Sequence, residues 1–411
     1  MQRSSCVIVI LLLLHSFEGL SQALGFSLAD GKTKVQIPIE VHNNLIVVPV
    51  VLNGALPLKF VLDTGVRTSI LTQKAFTDIL NLTYARKYVI SGPGGQKLIE
   101  AYVTNNVSLE LPGVLGRGHA LLVLEEDYLE LRNYLGVDVH GILGYELFSR
   151  FIIEINYEKK IMTLMLPERF RPKRKFQSIP IRIEDTKPYL TTPVVLKDGT
   201  QLTAKLLVDS GASHGLMLDP WSDPRIVVPD HVVSSVIGRG LGGEITGKVG
   251  RIKTLHLGPY KLDNPIANFP DPNSYFDSLK LGSTSRNGTI GGETLSRFTV
   301  VFNFSKEEIY LKRNHGYKKG FHYNLSGVTV KAKGSKLNVF EITSVRKESV
   351  ADKAGIQQGD IILTINGQVA KNIDLNIING ILNHRPGKKI NLTIDRNGLR
   401  VKKDFRLEDQ I

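Results

Sequence analysis

Cysteine is nearly absent. The single one, Cys6, lies at the very start of the 411-residue chain, so disulfides and thiol chemistry are excluded for everything that follows. Stability must then come from packing. Aromatic residues are modest at 7%, which gives no sign of a fibre or an aromatic-rich surface. Acids are in deficit, 39 against 52 basic residues, for a formal net charge of +13. Such a surplus can attract nucleic acid, an anionic membrane surface or an acidic polysaccharide. The tightest cluster, residues 169–175 (RFRPKRK), lacks the interleaved aromatics suited to base stacking and lies between two repeated halves. It reads as a solvated linker, and no nucleic-acid partner is expected. Long hydrophobic runs are missing as well. The longest near the N-terminus is the nine residues 6–14, too few to span a bilayer.

That short run has a context. Arg3 precedes it, and a polar stretch ending Ser21-Gln22-Ala23 follows, the three-part pattern of a secretory signal peptide. Residues 1–23 are expected to be removed, Cys6 with them. The expectation is an exported protein, periplasmic or extracellular, monomeric and without a transmembrane segment.

What is present is a repeat. Residues 47–71 (VVPVVLNGALPLKFVLDTGVRTSIL) and 190–216 (LTTPVVLKDGTQLTAKLLVDSGASHGL) share a plan: apolar strand, turn, second apolar strand, then Asp-Thr/Ser-Gly. The turns, Asn53-Gly54 and Asp198-Gly199, are strong hairpin signals. A second block also repeats, GILGYELFSRF at 141–151 and GTIGGETLSRF at 288–298. Each is followed by alternating apolar residues that read as two strands around a polar turn. The offsets agree, 146 residues from Asp63 to Asp209 and 147 from Arg150 to Arg297. Two separated blocks at one spacing indicate a duplicated lobe of about 140 residues. The lobes are expected at 34–170 and 178–315, and a separate small α+β module at 325–411.

The repeated aspartates carry the chemistry. One Asp-Thr/Ser-Gly tripeptide means little, but two in matched context mean much. Each follows a buried-type strand (Phe60-Val61-Leu62; Leu206-Leu207-Val208), where an acid needs a partner or a task. If the lobes pack about a pseudo-twofold axis, Asp63 and Asp209 meet. Two adjacent carboxyls share one proton and titrate as a pair. The ionised one can take a proton from a trapped water while the protonated one donates to a carbonyl oxygen. Aspartic proteases are the standard example of this sharing. Thr64 and Ser210 could hydrogen-bond across the axis, and Gly65 and Gly211 let the backbone approach the carboxylates.

The pattern resembles aspartic peptidases of the retropepsin and pepsin type. In that family apolar-Asp-Thr/Ser-Gly is followed late in each lobe by apolar-apolar-Gly. Here those are Ile142-Leu143-Gly144 and Thr289-Ile290-Gly291. The resemblance covers about residues 34–313 and implies a mainly β fold of duplicated acid-protease barrel lobes, catalytic Asp63 and Asp209, and a polypeptide substrate. It also implies that the Gly-rich tips around Gly94-Gly95 and Gly242-Gly243 are flaps over the substrate, the alternative being ordinary turns. Two flaps would resemble a single-chain retropepsin dimer more than pepsin. Pepsin-like sites usually carry a hydroxyl after the glycine, whereas this chain has Val66 and Ala212. Neither can donate to a carboxylate, so a dyad less acidic than pepsin's is expected. The non-enzymatic alternative is a duplicated scaffold that binds peptides without cutting them.

Other motifs carry less. Residues 211–215 match G-x-S-x-G, but Pro220 and Pro224 follow where that motif needs a helix. Residues 238–243 match G-x-G-x-x-G without a following helix start. The ten histidines show no metal-ligand spacing, so no metal or cofactor is expected. Six N-x-S/T sequons, Asn81 and Asn391 among them, matter only in a host that glycosylates.

Residues 325–411 resemble a PDZ domain, through Ser349-Val350-Ala351-Asp352-Lys353-Ala354-Gly355-Ile356, Gly359-Asp360-Ile361-Ile362 and Ile365-Asn366-Gly367. The family binds a peptide C-terminus as an added strand between a strand and a helix. The resemblance places that groove at Leu337, Val339, Phe340 and Ile342, facing a helix near 373–383. No glycine stands in Lys336-Leu337-Asn338-Val339, where a carboxylate loop would lie, so a purely structural, docking role is the alternative.

Overall fold

The computed structural model describes residues 24–90, 92–95, 98–272 and 285–411. The expected signal peptide, residues 1–23, lies outside them. The chain is mainly β, as expected.

Both hairpins form at the Asn-Gly and Asp-Gly turns, as Leu45–Leu52 with Leu56–Leu62 and Lys187–Val195 with Gln201–Val208. Asn53 and Gly54 both take positive φ (50° and 64°), the conformation such a turn demands. The two lobe sheets then repeat each other strand for strand. Lobe 1 runs Leu45–Leu52, Leu56–Leu62, Gly141–Leu143, Ile70–Leu71, His119–Leu124, Ile99–Val107, Arg86–Ile90. Lobe 2 runs Lys187–Val195, Gln201–Val208, Gly288–Ile290, Leu216–Leu218, Ile266–Pro270, Gly243–Arg251, Val233–Gly240. In each, the short strand from the second repeat block is inserted between two strands adjacent in sequence, parallel to the first and antiparallel to the other. The inserted strand also receives the aspartate's amide: Asp63 N donates to Leu143 O and Asp209 N to Ile290 O, both at 2.9 Å.

A third sheet joins the lobes. Its order is Gln177–Pro180, Glu308–Arg313, Phe298–Asn303, Ile152–Asn156, Ile161–Met165, Lys34–Pro38. Read from either end, equivalent strands of the two repeats appear in the same sequence, so the pseudo-twofold axis passes between the central pair. That pair is antiparallel, with Ile153 opposite Phe302 and Ile155 opposite Val300. Phe298, Val300 and Phe302 point into one apolar core that spans both lobes, and Phe302 meets Phe148 edge-on at 5.4 Å. The other face is covered by Phe170 and Phe176. Between those two phenylalanines, residues 171–175 are all exposed, as befits a solvated linker.

The first lobe starts earlier than expected. Gly25–Leu28 pairs with Val114–Arg117, and Phe26 is buried in the lobe core. A four-residue strand is too short to show a period in sequence.

The C-terminal module has its own core, built on Phe340, Ile342, Ile378 and Ile394. Its strand order is Val328–Lys333, Val339–Val345, Ile361–Ile365, Lys389–Arg396, Leu399–Arg406. Helix Leu375–Leu382, capped by Asp374, packs against the first of these strands. This corrects the expected groove. Strand Val339–Val345 has neighbours on both sides, and Leu337, Phe340 and Ile342 are buried while Val339 faces out. The sheet edge beside that helix belongs to Val328–Lys333. The sequence reading sat one strand too late because it sought a glycine loop at 336–339. The glycine, Gly327 with φ +84°, stands before the edge strand instead.

Because the central sheet joins the lobes, Phe302→Ala should lower stability by roughly 3–5 kcal/mol, the usual cost of emptying a buried phenylalanine site. Urea unfolding would show a lower midpoint for the two-lobed unit.

Candidate active site

The strands Leu56–Leu62 and Gln201–Val208 end buried, with Leu62 and Val208 inside the core, and release the chain at Asp63 and Asp209. The two loops are tied by crossed hydroxyls. Thr64 Oγ1 donates to Val208 O at 2.6 Å and accepts from Ser210 N at 3.0 Å. Ser210 Oγ donates to Leu62 O at 2.8 Å and accepts from Thr64 N at 3.1 Å. Both hydroxyls are fully buried, so losing either would strand polar groups on the opposite lobe.

The tie brings the carboxyls together. Asp63 accepts Gly65 N at 2.6 Å and Asp209 accepts Gly211 N at 2.9 Å, and the two carboxyls lie side by side. Gly65 and Gly211 are glycine for room. A Cβ on Gly65 would stand 3.3 Å from the Asp209 carboxyl carbon, and one on Gly211 would overlap the Asp63 carboxylate. Desolvation first, and the adjacent Asp209 charge second, push Asp63 well above the usual carboxylate range; the Gly65 amide and Lys187 pull weakly the other way. Two adjacent carboxyls of this kind titrate as a pair.

No hydroxyl faces the carboxylates from positions 66 and 212. Val66 O accepts Tyr145 N at 2.9 Å and Ala212 O accepts Gly292 N at 2.6 Å, which fixes both backbones. The Val66 side chain packs on a patch that includes Ile70, Ile99 and Ile142.

Both Gly-rich tips belong to hairpins, Arg86–Ile90 with Ile99–Val107 and Val233–Gly240 with Gly243–Arg251. Residues 91, 96 and 97 lie outside the described residues. The tips touch each other. Gly242 N donates to Pro93 O at 2.9 Å, and the backbones of Gly94 and Gly243 abut so closely that neither could carry a side chain. Leu241, at the second tip, packs on the same patch as Val66. The second tip and the first aspartate loop thus share one apolar patch.

The rival motifs resolve into this frame. Ser213 is exposed and leads into strand Leu216–Leu218, with no helix behind it, and residues 238–243 form the second tip.

One residue escaped the sequence reading. His214 stands five residues after Asp209, where lobe 1 has Thr68. Its Nε2 is buried with no hydrogen-bond partner among the described residues. Burial pushes it down to about 4 against the pull of Asp209, so it is neutral at neutral pH. Its place inside the repeated motif was the available signal.

Comparison with known families matches residues 48–147 and 192–294 to "Aspartyl protease", one aspartate loop in each segment, and residues 341–396 to "PDZ domain". The chain carries a two-lobed aspartyl protease domain and a C-terminal PDZ domain. It is also 39% identical over 83 residues to a "Probable CtpA-like serine protease" of Staphylococcus saprophyticus, covering 20% of this chain and 17% of that protein. The chain thus spans about a sixth of that relative. These likenesses support a protease-like role.

A carboxyl whose folded pKa is raised makes the native state bind more protons than the unfolded chain. Stability then falls as pH climbs from the unfolded value near 4 through the folded one. Asp63→Asn in the aspartyl protease domain should therefore raise Tm by a few degrees at pH 7 and leave it nearly unchanged near pH 3. Calorimetry at the two pH values checks the sign.

Proposed function

We propose that the chain is an aspartic endopeptidase that hydrolyses extended polypeptide between its lobes, beneath two flaps. The observation that carries this is the juxtaposition of the Asp63 and Asp209 carboxyls, held by crossed Thr64 and Ser210 bonds. In this reading a water sits between the carboxyls. The ionised carboxyl of the pair takes its proton as the oxygen attacks the peptide carbonyl carbon, and the protonated one gives its proton to the carbonyl oxygen. The tetrahedral intermediate collapses as the carboxyl that took the water's proton gives it to the amide nitrogen, the C–N bond breaks, and the other carboxyl takes back a proton from a hydroxyl of the intermediate. Both carboxyls recover their starting states, and no covalent enzyme intermediate forms. The paired tips around Gly94-Gly95 and Gly242-Gly243 serve as flaps that exclude bulk water.

The N-terminal pattern, Arg3 followed by the apolar run 6–14, supports export to the periplasm or the extracellular space. The PDZ domain serves substrate capture or regulation. Among the described residues no helix is long and apolar enough to cross a membrane.

Casein cleavage is the direct test. Asp63→Asn and Asp209→Asn should each lower kcat/KM by roughly 10²–10⁴-fold or more, and pepstatin should inhibit the unaltered protein. Cleavage indifferent to both substitutions would sink the reading. With Asp63 raised and Val66 and Ala212 unable to donate, the pH–rate profile should peak between mildly acidic and neutral pH; an optimum well below 4 would contradict it.

A further inference from the structure

The edge of the PDZ sheet is already covered, by the protease domain. Helix Leu131–Leu135 of lobe 1 packs against the edge strand Val328–Lys333. Asn133 Nδ2 donates to Ala332 O and Arg132 Nη2 to Ser335 O, both at 2.7 Å, and Glu130 pairs with Lys331. The other wall of the cleft is helix Leu375–Leu382, and the same lobe segment reaches it. Gly136, at φ +68°, lies so close to Leu375 that a Cβ would stand 2.5 Å from the leucine Cβ. Further along, Asn376 Nδ2 donates to Val41 O at 3.3 Å. One lobe segment, residues 130–136, thus touches both walls of the strand–helix cleft. An incoming peptide strand would need that edge and its backbone acceptors.

The same segment holds the second flap. Arg239, on strand Val233–Gly240, faces Glu130 at 3.8 Å and Glu244 at 3.7 Å, and its guanidinium lies 5.7 Å from the Tyr134 ring centre. Tyr134 OH donates to Glu244 at 3.4 Å, and the Lys331 ammonium lies 4.3 Å from that same ring centre. Glu130 and Tyr134 are therefore shared between the PDZ edge strand and the flap. Glu130 also carries φ +50°, an uncommon backbone state for this residue type. Leu131 and Leu135 root the segment in lobe 1. Polar pairs of this partly exposed kind are individually weak, so the contact can open.

We infer that residues 130–136 fill the PDZ cleft as a built-in occupant and, through Glu130 and Tyr134, latch the second flap shut, so that a peptide strand entering the cleft frees the flap. The effect on turnover rests on the peptidase reading; the latch itself does not.

Two full-chain variants test it. Asn133→Ala with Lys331→Ala removes polar contacts, while Gly136→Asn tolerates the left-handed backbone and drives a side chain into Leu375. In either variant that keeps its circular dichroism, hydrogen exchange should quicken about five- to tenfold at residues 328–333 and 240–244, and kcat/KM on casein should rise by a similar factor. Exchange at 240–244 that stays at the unaltered rate while 328–333 opens would overturn the coupling. Faster flap exchange with equal or lower kcat/KM would overturn the latch as a restraint on turnover. If no form of the protein cleaves casein, the peptidase reading fails and the exchange rates alone decide whether the segment latches the flap.

Discussion

The crossed hydroxyl bonds of Thr64 and Ser210 are the constraint on which the rest depends. Two carboxyls in contact repel when both ionise, and nothing in either loop alone would keep them together. Each hydroxyl reaches the carbonyl that ends the opposite lobe's strand, so the aspartates cannot part unless four buried hydrogen bonds are broken. The joining sheet performs the same service at larger scale. Its central strands pair residue for residue across the axis, which puts the two loops level before their hydroxyls meet.

Within that symmetric frame the two halves are chemically unequal. Val66 stands opposite Ala212, and Thr68 opposite the half-buried His214. Desolvation first and the adjacent Asp209 charge second raise Asp63 above the usual carboxylate range. The side chains a few positions downstream of the nearly identical motif differ, because the motif must stay fixed for the loops to cross while its flanks need not.

Much of this was legible in the sequence because it is local or repeated. The Asn53-Gly54 and Asp198-Gly199 hairpins, the Asp63 and Asp209 loops and the Gly-rich tips all rest on short-range turn chemistry, and the common offset supplied the pairing of lobes. The role of Gly65 and Gly211 was half legible. Close approach was foreseen, but the object approached is the other lobe's carboxylate, which no local reading gives. The PDZ edge was missed by one strand. Val328–Lys333 and Val339–Val345 both alternate, and only their position in the sheet tells an edge from an interior strand. Glu130, Tyr134 and Arg239 looked like scattered surface residues, since their meaning lies in contacts more than a hundred residues apart in sequence.

Those contacts also explain why the two domains can communicate without fusing. The apolar core of the lobes and that of the PDZ domain are separate clusters, and what joins them at residues 130–136 is ion pairs, side-chain amides and one glycine against one leucine. A shared apolar core would have made a single rigid body, because buried area is recovered all or none. A polar seam can open locally while both cores stay intact. The seam meets the second Gly-rich hairpin rather than the joining sheet, so opening it leaves the spacing of the aspartates, set by Thr64 and Ser210, untouched.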